Sequence, residues 1–314
     1  MSASKKKLKV VFMGTPEFAI PSLHILLKNG YHIVGVITSV DKMGGRGRKQ
    51  VLQSAIKKFA LEHKLKVLQP RNLKSAKFHE KLARLEADLQ VVVAFRMLPE
   101  VVWSMPRLGT INLHGSLLPR YRGAAPINWA IINGDDKTGL TTFFIQQQID
   151  TGDLLFQEEV MIEPTDTAGD LHDKMKLVGA ELVFKTVDAI ESNEYTLLPQ
   201  ADEDATKAPK IFHEMCEIDF KLPGKKVYDF IRGLSPWPGA WSVLDGKLLK
   251  IYRCKLSELS TLEPGQLSTS EGHLLIGTRD QNIHVEELQM QGRKRMNAKD
   301  FLNGYKPKSA FLGS

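Results

Sequence analysis

Apolar positions along the chain come in short runs, and the stretches between them keep apolar residues at helical spacing. The first run, Lys9 to Met13, stops at Gly14-Thr15-Pro16-Glu17, where Thr15 can cap a helix and Pro16 suits its first position. This predicts a strand, a turn and a helix. The alternation continues with strands expected at 32–38, 66–68, 89–95, 110–114, 140–147 and 154–162, and helices at 51–63, 75–85 and 166–191. Residues 89–95 are apolar on both faces, as in a central parallel strand covered from above and below. Strands and helices in this order predict an α/β domain with a largely parallel sheet.

The texture changes after Leu198. Residues 199–209 are polar, acidic and bounded by Pro199 and Pro209, which reads as a linker over about 199–210. Beyond it the pattern predicts a helix at 225–231 and short strands at 240–244, 248–253, 274–277 and 283–288, set off by Gly and Pro turns. Short strands so punctuated suit a small β-barrel. The expected domains are therefore residues 1–205 and 211–314, a division that suits a length of 314 residues.

Composition excludes collagen, coiled coil and general disorder, because 42% of residues are hydrophobic and 25% charged, as in ordinary globular proteins. The net charge of +7 is unevenly spread: +7 over residues 1–50, −5 over 51–205 and +5 over 206–314. Basic ends flanking an acidic middle fit contact with a polyanion, and equally a solvated lysine-rich surface. Cys216 and Cys254 have no CxxC or ligand spacing, so a disulfide scaffold is not expected. The apolar run after Lys5-Lys6-Lys7 is too short for a signal peptide, and no run reaches the ~18–20 apolar residues of a membrane span. A cytoplasmic protein is expected.

The phosphate-binding fingerprints of nucleotide folds are missing, since neither GxxxxGK[ST] nor GxGxxG follows the first strand. A dehydrogenase or an ATPase is disfavoured. Candidate chemistry lies instead in Asn112-Leu113-His114-Gly115-Ser116-Leu117-Leu118-Pro119, at the carboxyl edge where open α/β sheets hold ligands. Alternation puts Asn112 and His114 on one face, although a buried histidine satisfied by backbone would read the same way. Gln146 to Asp153 follows another expected strand and ends in a turn that can bring Asp150 to the same edge, although Asp-Thr-Gly is also a common turn sequence. One such loop in an α/β context excludes an aspartic protease. An amide, an imidazole and a carboxylate are what transfer of a one-carbon acyl group to an amine requires: donors for the oxyanion, and a carboxylate that orients the ring. No metal is needed.

These residues carry a resemblance to the methionyl-tRNA formyltransferase family. It rests on Phe12-Met13-Gly14-Thr15-Pro16-Glu17-Phe18-Ala19, on Asn112 through Pro126, on Asp150-Thr151-Gly152-Asp153 and on Ile231 through Trp241, so it covers nearly the whole chain. The resemblance implies a Rossmann-like formyltransferase domain followed by an OB-like β-barrel, moving a formyl group from 10-formyltetrahydrofolate to methionine on initiator tRNA. It implies Asn112, His114 and Asp150 as the catalytic trio and Ser116, Leu117, Leu118 and Pro119 as the folate-contacting segment, with the pterin beside 93–98 and 148–150. It also implies that the Gly/Arg loop 41–49, with Arg46, Arg48 and Lys49, enters the acceptor stem. Lys207, Lys210, Arg293, Lys294 and Arg295 would follow the RNA backbone, and the enzyme would be a monomer. Trp237 and Trp241 are expected to pack rather than to stack on bases. The sequence departs from the family at Arg96-Met97, which puts a guanidinium near the expected pterin pocket, and at Ser235. The alternatives are a folate-dependent formyltransferase acting on an amino sugar nucleotide or on glycinamide ribonucleotide, and a non-catalytic RNA-binding protein.

Overall fold

The computed structural model describes residues 7–44, 47, 50–258, 262–269 and 272–313. The first half runs β1 (Lys9–Gly14), α1 (Ile20–Lys28), β2 (His32–Ile37), a hairpin of β3 (Lys42–Gly44) and β4 (Gln50–Leu52), α2 (Ala55–Glu62), β5 (Val67–Leu68), α3 (Ala76–Ala83) and β6 (Leu89–Val93). It continues through α4 (Glu100–Trp103), β7 (Thr110–His114), β8 (Arg122–Gly123), α5 (Pro126–Asn133), β9 (Lys137–Phe144), β10 (Leu154–Met161) and α6 (Ala168–Ser192). Seven of these strands form one sheet in the order β10-β9-β7-β6-β1-β2-β5. The five strands from β7 to β5 are parallel, and β9 joins β7 antiparallel.

β6 lies between β1 and β7 and is buried at all five positions, which is why its sequence shows no polar face. Beside it, β1 ends at Gly14, where a Cβ would meet Ala19 Cβ at 2.8 Å and Val93 O at 3.1 Å, so only glycine fits this close approach. Val11, Met13, Ile37, Phe78, Leu82, Val92 and Val102 form a core on the sheet. The helix entry differs from expectation. Pro16 precedes a 3-10 turn (Glu17–Ala19) without a side-chain cap, and α1 starts only at Ile20. Pro16 O accepts from Ala19 N–H at 3.2 Å, so the proline closes that turn instead of opening the helix. The start of the helix expected at 51–63 is strand β4, and Ser54 caps α2 by accepting from Lys57 N–H.

The remaining elements are β11 (Lys207–Ala208), α7 (Gly224–Gly233), β12 (Ala240–Leu244), β13 (Lys247–Leu256), β14 (Leu267–Ser268), β15 (Leu274–Gly277), β16 (Asn282–Met290), β17 (Met296–Asn297) and α8 (Ala298–Gly304). β12 to β17 without β11 form a six-stranded antiparallel sheet that curls into an open half-barrel. Register shifts around Arg253 break the β13–β16 ladder, and such bulges bend a strand enough to curl a sheet. Ile231, Leu249, Ile251, Ile276, Val285, Leu288 and Phe301 fill its interior.

The chain divides into two compact units, residues 1–123, 139–160 and 173–207, and residues 124–138, 161–172 and 208–314. α5 belongs to the second and was not expected from the sequence, because Pro126-Ile127-Asn128-Trp129-Ala130-Ile131-Ile132-Asn133 has no distinct polar face. It packs tightly on α7. A Cβ on Gly233 would lie 2.6 Å from Ile132 Cγ1, and Asn128 Nδ2 donates to Gly233 O at 2.7 Å. Trp241 packs on His213 with ring centres 5.1 Å apart, as expected, whereas Trp237 is 78% exposed, with Lys250 Nζ 5.7 Å from its ring centre. Cys216 and Cys254 are buried and unpaired, and burial raises both thiols above their ordinary range. Among the described residues no helix is long and apolar enough to cross a membrane.

Candidate active site

β7 is the element that carries the site. Its side chains alternate between faces, which puts Asn112 and His114 on the same one; Asn112 is half-buried and the other four positions are buried. Pairing fixes Asn112 between Val92 of β6 and Phe143 of β9, and places His114 opposite Thr141. The site therefore sits at the seam where the parallel sheet gains its antiparallel neighbour.

His114 is 6% exposed, and both ring nitrogens have defined surroundings. Nε2 lies 2.9 Å from Tyr121 O, and a carbonyl only accepts, so Nε2 carries the hydrogen. Nδ1 faces Asp150 Oδ2 at 3.7 Å. The separation exceeds a hydrogen bond, and contacts of this kind tighten when substrate fills a site. Asp150 Oδ2 also accepts from Gly123 N–H at 2.9 Å, which aims the carboxylate at the ring. The structure thus joins the two readings of the histidine: it is buried and backbone-satisfied on one side, and faces a carboxylate on the other.

Asp150 lies in the β9–β10 connection with φ of +56°, a left-handed conformation. Tyr121 at +61° and Ala94, just after β6, at +49° share that region. For residues with a side chain this costs about 1–2 kcal/mol each, and strain of this kind tends to collect at functional sites. The turn is held tight at Gly152, where a Cβ would fall 1.7 Å from Phe144 O. Gly152→Ala is expected to destabilise the chain by about 3 kcal/mol and to displace the turn. Thermal melting together with kcat checks it; an unchanged melting temperature contradicts the close approach.

The segment Ser116 to Pro119, expected to contact folate, is a braced turn. Ser116 is fully buried and its Oγ donates to Arg120 O at 2.6 Å, while Leu118 packs with Phe143 and Leu154. Thr141 Oγ1 donates to Ser116 O at 2.7 Å and accepts from Leu118 N–H at 3.0 Å, and Gln157 Nε2 donates to Leu118 O at 2.9 Å. Leu117 and Pro119 stay half-exposed. Sequence reasoning missed Thr141 and Gln157. Thr141 gave a signal, a polar residue at a buried strand position, whereas Gln157 stands in the exposed run Gln157-Glu158-Glu159 and gave none.

Arg46, Arg48 and Lys49 lie outside the described residues. At the base of their loop, Asp41 accepts from Lys57 and Gln69, which hold its carboxyl below the usual carboxylate range. Lys210 is exposed with Nζ 5.1 Å above the Phe212 ring. Arg96 is exposed too, and its guanidinium donates to the carbonyls of Pro70 and Arg71. Those bonds occupy it on the 70–71 loop.

The formyl transferase family model matches residues 6–187, and the model of the formyl transferase C-terminal domain matches 210–306. Methionyl-tRNA formyltransferase of Bacteroides fragilis is 48% identical to this chain, with 98% of each covered. The proteins of the same name from Parabacteroides distasonis (49% identical, 96% of this chain and 97% of the other) and Flavobacterium johnsoniae (48%, 95% and 96%) are similarly close. Among solved structures, a sugar 3N-formyl transferase determined with dTDP and 5-N-formyl-THF aligns with a TM-score of 0.68 at 21% identity, covering 91% of this chain and 99% of that one. HypX from Aquifex aeolicus with tetrahydrofolic acid aligns at 0.65 and 17% identity, covering 94% of this chain and 47% of that one. At these identities the solved structures speak for the fold, whereas the two family models and the relatives near 48% carry the assignment: the chain belongs to the methionyl-tRNA formyltransferase family.

Proposed function

We propose that the chain transfers a formyl group from 10-formyltetrahydrofolate to the amino group of methionine on initiator tRNA, as a monomer in the cytoplasm. The observation that carries this reading is the facing of His114 Nδ1 and Asp150 Oδ2, 3.7 Å apart on the edge that also presents Asn112, in a chain 48% identical over 98% of its length to a methionyl-tRNA formyltransferase. Residues 1–205 hold the chemistry, and residues 211–314 hold tRNA. Ser116 to Pro119 offer the folate a preformed wall, chiefly through backbone and the half-exposed Leu117 and Pro119.

The methionyl amine attacks the formyl carbon, and the new C–N bond pushes electrons onto the formyl oxygen. Asn112 Nδ2–H and a protonated His114 stabilise that oxyanion. Asp150 takes the proton the amine gives up and passes it to N10 of the folate, and as the oxyanion collapses to the amide carbonyl the C–N10 bond breaks to give formylmethionyl-tRNA and tetrahydrofolate. His114 and Asp150 are held by Tyr121 O and Gly123 N–H before substrate arrives, so little reorganisation of the pair is needed at the moment of transfer.

The acceptor decides between this reading and a sugar formyltransferase. Purified protein given the folate donor is expected to formylate methionyl-tRNA and to leave dTDP-amino sugars untouched; the reverse pattern overturns the assignment. Arg46, Arg48, Lys49 and Lys210 contact the tRNA phosphates in this reading. Arg46→Ala should raise KM for tRNA and lower the dependence of log affinity on log salt by about one unit, and an unchanged slope removes Arg46 from the interface.

A further inference from the structure

The stretch read from sequence as a linker contributes to the site itself. Gln200 is half-buried, and all its polar capacity on that side is used. Its Nε2 donates to Asp150 O at 3.0 Å and to Gly152 O at 2.8 Å, while its Oε1 accepts from Arg122 Nε at 3.0 Å and Nη2 at 2.7 Å. Only the amide oxygen can face a guanidinium and only the nitrogen can face two carbonyls, so the amide has a single orientation. Arg122 Nη2 is in turn held by Asp202 at 2.8 Å.

The consequence for Asp150 is a clamp at two points. Its carboxylate is fixed by Gly123 N–H, and its backbone is fixed, through Gln200, by Arg122, the residue before Gly123. On the histidine side Thr206 does a parallel job: Thr206 Oγ1 accepts from Tyr121 N–H at 2.8 Å, and Thr206 O accepts from Arg122 N–H at 2.9 Å. Tyr121 O is the acceptor that holds the ring of His114. Residues 200–206 thus brace both sides of the imidazole–carboxylate pair.

The geometry points to Gln200 as a positioning residue that keeps Asp150 in its left-handed conformation with the carboxylate aimed at His114. This rests on the reading of His114 and Asp150 as the reacting pair. The left-handed backbone at Asp150 is unfavourable alone, and two charge-free hydrogen bonds to the turn are enough to hold it. Without them the turn relaxes and the carboxylate leaves the ring.

Gln200→Glu is the informative change, because it keeps volume and the Arg122 partner but turns the donor into an acceptor facing two carbonyls. In the full chain it is expected to lower kcat about 30- to 100-fold, since displacements of about 1 Å at a reacting group can cost about a hundredfold. KM for donor and tRNA should stay within about threefold, because the Gln200 amide is taken up by Arg122, Asp150 and Gly152. Gln200→Ala, which adds no charge, should lose about tenfold and serves if the glutamate variant folds poorly. The readout that a merely structural role does not move is coupling: in an Asp150→Asn background Gln200→Glu should cause no further loss. A wild-type kcat for both Gln200 variants beside an impaired Asp150→Asn overturns the positioning role alone, as does a multiplicative loss in the double variant. A wild-type kcat for Asp150→Asn overturns the reading of the reacting pair and the positioning role with it.

Discussion

His114→Ala is expected to reduce kcat about a thousandfold while leaving tRNA affinity nearly unchanged. The imidazole is the one group on β7 that faces a carboxylate through one nitrogen while its other nitrogen, bound to Tyr121 O, fixes the ring plane, and losing a positioned acid–base group typically costs about 10²–10⁴ in rate. The substitution also removes the donor to Tyr121 O, and an unpaired buried carbonyl costs about 1–3 kcal/mol. Rates should therefore be compared well below the melting temperature. Asp150→Asn separates the two effects, because an asparagine oxygen can still accept from Gly123 N–H while the charge is gone. It should lose about a hundredfold in single-turnover transfer with melting unchanged. Near wild-type turnover in both variants, with RNA still bound, would leave the non-catalytic RNA-binding reading standing.

The second large effect concerns stability in the C-terminal unit. Asp229 and Arg232 on α7 form an ion pair at 2.8 Å with side chains only 2% and 7% exposed, and Arg232 Nη1 also donates to Asp166 O at 2.9 Å. Removing the carboxylate leaves a buried guanidinium without its charge partner, so Asp229→Ala should cost about 3–5 kcal/mol. Replacing both partners, Asp229→Leu with Arg232→Met, should recover most of that loss, because a buried pair is often no more stable than well-packed apolar residues. Urea unfolding followed by tryptophan fluorescence reads the difference, since Trp129, Trp237 and Trp241 all lie in this unit. Equal losses in the single and double variants contradict this account.

What could be read from sequence follows from how local its causes are. The strand at 110–114 is where the sequence pattern puts it, and β6 is central because four of its five residues are apolar and the fifth, Gln90, is buried accepting from Thr110 Oγ1. The candidate trio could be proposed from sequence because two of its members share one strand face and the third lies in the connection after the next long strand. The supports were hidden for the opposite reason. Gln200 acts on a turn 50 residues earlier and Thr206 on Tyr121, 85 residues earlier, and nothing local in Pro199-Gln200-Ala201-Asp202 distinguishes a brace from a solvated connection. α5 escaped notice because it is apolar nearly all round, and the hairpin β3–β4 because its residues continue without a break into a helical pattern.

The non-glycine residues with positive φ divide into groups with different fates under selection for heat resistance. Lys64, Glu86 and Asn193 close the ends of α2, α3 and α6, where glycine is the usual occupant and would adopt the same backbone without penalty. An engineer hardening this enzyme can exchange them freely. Ala94, Tyr121 and Asp150 end no helix; they ring the sheet edge, and their discomfort is tied to where the chemistry stands. A consensus or ancestral redesign that smooths those three along with the rest would be expected to trade turnover for durability.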